Sequence, residues 1–160
     1  MSGPLRRIPR AIHEAMIERA EADYPEETCG FVFGADDALE VLPMKNIQND
    51  LHARDPDGYP RDARIAYEFD PAEMVRVLSE KERAGIPLRA IYHSHPDLDA
   101  YFSKTDSAAA SPFGEPSYPG TVYLVYSVRS ARVVDCKGFD WSTSDNAYAE
   151  VPLEVVDDLD

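Results

Sequence analysis

Residues 87–95, Pro-Leu-Arg-Ala-Ile-Tyr-His-Ser-His, constrain the fold more than any other segment. The run is apolar at first and ends on two histidines. A short, near-continuous apolar run of this kind reads as a central strand of a sheet. Residues 121–128 and 131–139 are two further strong strands, predicted to form a hairpin around Arg129-Ser130. Residues 27–34 read as a strand that turns through Ala35-Asp36-Asp37 into another near 38–44. One more strand is expected over 147–156, and the acidic end, 157–160, is expected to fray.

Helical signals alternate with these strands. Over 8–22, Ile8, Ile12, Ala15, Met16 and Ala20 recur at three- and four-residue spacing, with Pro9 suited to the first turn. A second helix is signposted by Asp70 as N-cap, Pro71 at the first position and Glu73 in a capping-box pattern. Met74, Val75 and Leu78 supply its buried stripe, and Gly85 stops it. Ser103-Lys104-Thr105-Asp106 opens a third. Residues 46–64, rich in Asp, Asn, Pro and Arg, read as a long loop. The sum is an α/β layout, a mixed or mostly antiparallel central sheet flanked by two or three helices.

Composition sets the outer limits. At 160 residues the chain is expected to be one domain, able to bury about 70% of its unfolded surface without staples. The formal charge of −14 opposes binding to phosphate backbones, so no nucleic-acid partner is expected. No apolar stretch is long enough for a membrane span, and the N-terminus lacks a secretory pattern. The two thiols, Cys29 and Cys136, read as reduced residues of a cytoplasmic protein.

Chemistry concentrates in residues 93–106. On a strand, residues two apart share a face, so His93 and His95 present both imidazoles to one point. Asp106 falls in the first turn of a helix, where the backbone dipole favours its ionised form. Two imidazoles and a carboxylate make a three-ligand zinc site that keeps a fourth position open. Ser103-x-x-Asp106 also reads as a simple N-cap with a capping box, and the two readings are compatible. Tyr92 and Ser94 should face away from His93 and His95. For Cys29 a small buried core residue is the simpler reading, and for His13 and His52 a surface position is.

These fourteen residues resemble the signature of the JAMM (MPN+) metallopeptidases: His-x-His-Pro, six residues, then Ser-x-x-Asp. Glu27-Thr28-Cys29-Gly30 is similar to the family's early strand, where a glutamate precedes a glycine by three positions. The resemblance implies a cytidine-deaminase-like JAMM/MPN fold with His93, His95 and Asp106 as Zn²⁺ ligands. It implies Glu27 as the general base acting on a zinc-activated water and Ser103 as the hydrogen-bond donor to the developing oxyanion. Glu26 is adjacent to Glu27, but alternation sends the two side chains to opposite faces.

Resemblance to the compact bacterial members implies a ubiquitin-like or sulfur-carrier β-grasp protein as partner, cut after its C-terminal Gly-Gly. An extended diglycine tail suits pairing beside a sheet edge, and the 46–64 loop could wall its groove. Three other roles within the family fit the chain less well. A catalytically silent MPN scaffold would typically lack some ligands. A RadC-like member is disfavoured by the charge, and a phage-tail-like member by the lack of room for a second peptidase domain.

Overall fold

The computed structural model describes residues 3–157. Six strands form one sheet: β2 (Cys29–Phe33), β3 (Glu40–Met44), β4 (Leu88–Pro96), β5 (Val122–Arg129), β6 (Arg132–Ser142) and β7 (Ala147–Val151). Their spatial order is β3-β2-β4-β5-β6-β7, and only the β4–β5 pair is parallel. Strand β4 is buried at every position after Leu88, as its apolar run requires. A separate two-stranded parallel pair joins β1 (Arg7–Pro9) to β8 (Glu154–Val156).

Side-chain alternation divides the core into two layers. On one face Phe31, Phe33, Ile91, Tyr123 and Val125 pack with α3 (Pro71–Arg83) and α4 (Lys104–Ala110). On the other, Val32, Tyr92, Val122, Leu124 and Tyr126 pack with Met16 and Ala20 of α1 (Arg10–Asp23). Burying each such large apolar side chain contributes on the order of 1.5–3 kcal/mol. Gly30 is fixed by close approach, because a Cβ there would meet the Tyr92 ring and lie 2.6 Å from the Leu42 carbonyl oxygen. Pro43 sits on β3, an edge strand, where a missing N–H is tolerated. Among the described residues no helix is long and apolar enough to cross a membrane.

Several boundaries differ from the sequence reading, each for a physical reason. Ile8 lies on β1, not on the first helix, paired with Val155 and 1% exposed. The residue before a proline is pushed out of the α region, so the helix begins only after Pro9. Val75 is exposed, while Met74, Val77 and Leu78 face the core, because one residue along a helix turns the side chain about 100°. Asp70 caps α3 through the Ala72 and Glu73 N–H groups, but the Glu73 carboxylate pairs with Arg76 instead of closing the box.

The 46–64 segment contains a fourth helix, α2 (Gln48–Arg54). It has no apolar stripe to announce it and is held by tertiary polar contacts. Asn46 alone accepts from the Gln48 and Glu68 N–H groups and donates to the Glu27 and Ala66 carbonyls. The β5–β6 turn is centred on Ser130-Ala131, both at positive φ, the geometry of a tight two-residue hairpin. Residues 147–156 are split at Pro152 between two sheets. His13 is half-buried, not a free surface residue, with Nδ1 2.9 Å from the Tyr126 hydroxyl. His52 lies on α2, its Nδ1 2.7 Å from the Tyr59 carbonyl oxygen. Asp157 pairs with Arg10, and the rest of the expected frayed end lies outside the described residues.

Candidate metal centre

Strand β4 carries His93 and His95 on the same face, and the Ser103 cap turns the chain so that α4 brings Asp106 to them. His93 Nε2 and His95 Nε2 lie 3.2 Å apart, and Asp106 Oδ2 lies 3.2 and 3.3 Å from them. Three lone-pair atoms packed this closely repel one another unless a cation or proton sits among them. Tetrahedral zinc at 2.0–2.1 Å from nitrogen or oxygen requires ligand–ligand edges of roughly 3.3 Å, so this triangle fits one face of its coordination shell.

The surroundings prepare each member of the set. His95 Nδ1 lies 3.0 Å from the Asp99 carbonyl oxygen, which can only accept, so Nδ1 carries the proton and Nε2 presents its lone pair. His93 is fully buried, its ring stacked on Tyr67 with centroids 4.7 Å apart, and burial lowers its pKa, with Asp106 opposing. Its Nδ1 is buried without a hydrogen-bond partner. Burial would raise the Asp106 carboxyl. Attraction to a protonated His93 first, and then hydrogen bonding that includes the Ser103 N–H, outweighs that and holds it well below the usual carboxylate range. Ser103 Oγ accepts from the Asp106 N–H at 3.0 Å, which leaves its own O–H to donate elsewhere.

Glu27 precedes β2, where Cys29 pairs with His93 and the Thr28 carbonyl accepts from the Ser94 N–H. Continuing that antiparallel register sets Glu27 beside His95. Glu27 is 5% exposed, and burial, reinforced by the charge of Asp106, pushes its carboxyl up to about 9, with Arg61 opposing. Glu26 is exposed and bonded to Asn49. Cys29 is a buried free thiol 3.7 Å from the Met44 carbonyl oxygen. Ser94 and Tyr92 face the opposite side, where Ser94 Oγ accepts from the Thr28 N–H.

Glu27, His95, Ser103 and Asp106 line one cavity of about 390 Å³. The 46–64 segment and the residues after it supply a wall, through Arg61, Ile65 and Tyr67. Tyr101 closes another side, edge-on to His95 at 4.9 Å between centroids. The sequence reading missed Arg61, Tyr67, Tyr101 and the Asp99 carbonyl. Tyr101 and Asp99 lie inside the 93–106 segment and Arg61 inside the 46–64 loop expected to wall the groove, whereas Tyr67 had no positional signal.

Residues 9–137 match the family described as prokaryotic homologs of the JAB domain. The chain is 39% identical to a desampylase of Haloferax volcanii over 110 residues, covering 69% of this chain and 68% of that one. It is 29% identical to a CysO-cysteine peptidase of Mycobacterium tuberculosis over 146 residues, 89% and 86% of the two chains. Among solved structures, a protein from Desulfitobacterium hafniense superposes with a TM-score of 0.68 at 21% identity, covering 96% and 94%. A JAB1/MPN domain protein from Archaeoglobus fulgidus gives 0.54 at 17% identity, covering 96% and 99%. With the family matched across most of its length and the same fold in these neighbours, the chain belongs to the prokaryotic JAB-domain family of the JAMM/MPN group.

Proposed function

We propose that the protein is a zinc-dependent peptidase that hydrolyses the peptide or isopeptide bond after the C-terminal Gly-Gly of a ubiquitin-like or sulfur-carrier protein. The observation that carries this reading is the convergence of two imidazole Nε2 atoms and one carboxylate oxygen in a cavity that also holds a buried glutamate. The names of the relatives, desampylase and CysO-cysteine peptidase, support a peptidase acting on such carrier conjugates.

His93, His95 and Asp106 would hold the metal. When bound, zinc supplies Lewis-acid activation of a water nucleophile near neutral pH and a positive charge that offsets the effect of Asp106 on Glu27. Glu27 as carboxylate takes a proton from water as its oxygen adds to the scissile carbonyl carbon. Ser103 Oγ–H donates to the carbonyl oxygen as negative charge develops there. The carbon–nitrogen bond then breaks, and the proton held by Glu27 passes to the leaving amine, giving a free Gly-Gly carboxylate and an amine. The Tyr67 and Tyr101 rings pack on the two histidines and hold them in place. A diglycine segment suits a backbone that must pass between such walls.

The test is mass spectrometry of a β-grasp carrier bearing a short extension beyond Gly-Gly after incubation with the purified protein. Cleavage at the glycine, abolished by chelation and restored by zinc, supports the reading. An intact carrier, or cleavage indifferent to chelation, overturns it.

A further inference from the structure

We infer that Tyr24 and Arg129, both remote in sequence from residues 93–106, are positioning residues that set the tautomer and orientation of His95 by strapping the Asp97–Asp99 turn. The turn is an unusual piece of backbone. Asp97 directly follows β4 and sits at φ 61, a left-handed conformation uncommon outside glycine that aspartate tolerates better than most residues.

Contacts from two elements hold the turn there. From the end of α1, the Tyr24 hydroxyl reaches both Asp97 carboxylate oxygens, at 2.8 and 2.9 Å. From the end of β5, Arg129 spans the turn, donating from Nη1 to the Asp97 carbonyl at 3.1 Å and from Nη2 to the Asp99 carboxylate at 2.8 Å. Ser127 Oγ donates to the Leu98 carbonyl at 2.6 Å, and the Asp97 N–H donates to the Val128 carbonyl at 2.7 Å. All three residues of the turn are thereby tied to neighbouring strands or helices.

What the strap holds still is the Asp99 carbonyl oxygen, which accepts from both His95 Nδ1 and the Tyr101 N–H. That carbonyl obliges His95 to carry its proton on Nδ1 and to aim Nε2 at His93 and Asp106. The same turn presents Leu98 and Tyr101 to the cavity, so one fixed backbone segment positions both a metal-site imidazole and part of the substrate wall. Outer partners of ligating histidines typically govern metal affinity by 10–100-fold. The Tyr24–Asp97 and Arg129–Asp99 contacts are exposed, so as isolated surface pairs they would do little for folding.

The inference rests on reading His95 as a ligand, and the experiment separates the two. In metal-free protein, long-range ¹H–¹⁵N NMR of the imidazole reads the His95 tautomer directly, and chelator competition reads zinc affinity. Arg129→Gln and Tyr24→Phe, alone and together, should convert His95 from one Nδ1–H tautomer to a mixture. They should also weaken zinc binding about 10-fold or more in the double variant, while metal-free melting temperatures stay within about 2 °C of the parent. Arg129→Lys, which keeps the charge but not the two-pronged reach, should fall between, and Arg132→Gln, across the hairpin, should match the parent. A parent-like tautomer and zinc affinity in the double variant would overturn the inference. A tautomer change without any zinc binding by the parent would uphold the strap and sink the zinc reading instead.

Discussion

Ser103 and Asp106 cap each other: the N–H of each donates to the side chain of the other, both at 3.0 Å. This capping box fixes the carboxylate that faces the two histidines and the hydroxyl that faces the cavity in a single local motif. Ser103→Ala should therefore show two separable losses. Losing the cap costs roughly 0.5–2 kcal/mol of stability, read by chemical denaturation. Losing the hydroxyl donor should lower kcat by roughly 10²–10³, with KM little changed. A variant that loses stability but keeps turnover would remove Ser103 from the chemistry and leave it as a cap.

Glu27 gives a prediction in two parts. In its first part, Glu27→Gln should retain zinc and the fold and lose roughly 10²–10⁴ in turnover, since the amide cannot accept the proton. Glu26→Gln should be near wild type, because Glu26 is exposed and bonded to Asn49. The reverse pattern would mean that the adjacent glutamate is the base.

The second part concerns pH. The Glu27 carboxyl is raised from 4.5 to about 9 by burial first and by Asp106 second. Between those values the folded state holds a proton that the unfolded chain has released, so metal-free protein loses stability as pH rises through that window. Metal-free Glu27→Gln carries no such penalty. It should be the more stable of the two above pH 5, by a margin that grows with pH and reaches at most about 3 kcal/mol near pH 7. Melting curves of both proteins in chelator at pH 5, 6, 7 and 8 check this. Parallel curves would mean that Glu27 is already ionised without metal.

Gly30→Ala tests the packing that aligns β2 with β4. The added methyl would meet both the Tyr92 ring and, at 2.6 Å, the Leu42 carbonyl oxygen. Overpacking of this kind costs roughly 1–3 kcal/mol, so a fall of several degrees in melting temperature is expected. Adding Tyr92→Phe should recover only part of it, since the backbone oxygen remains. Full recovery would show that the hydroxyl alone made the contact.

Substrate choice should follow backbone access. A carrier ending in Gly-Gly plus a short extension should be trimmed, and an Ala-Ala version should resist, because two methyl groups would crowd the walls beside Tyr67 and Tyr101. Similar rates measured on both carriers would discard diglycine recognition while leaving peptidase activity intact.

The geometry of the candidate site was legible where local rules determine it. The two-residue period of a strand aims His93 and His95 together, and a helix cap ties Asp106 to Ser103 three residues earlier. Neither depends on distant parts of the chain. Tyr67 and Arg61 were not legible, since their approach to the site depends on how the 46–68 segment folds back through Asn46 and α2. Ile8 was misread by periodicity alone, although Pro9 carried the contrary signal. The half-burial of His13 reflects its contact with Tyr126, 113 residues away in sequence, which no local pattern reports.

Zinc content is the most direct test of the central claim. Protein purified from zinc-replete culture without added chelator should carry one zinc per chain by elemental analysis, and His95→Ala and Asp106→Asn should carry far less. A stoichiometry near zero in the parent, or undiminished zinc in both variants, would contradict a metal centre built from His93, His95 and Asp106.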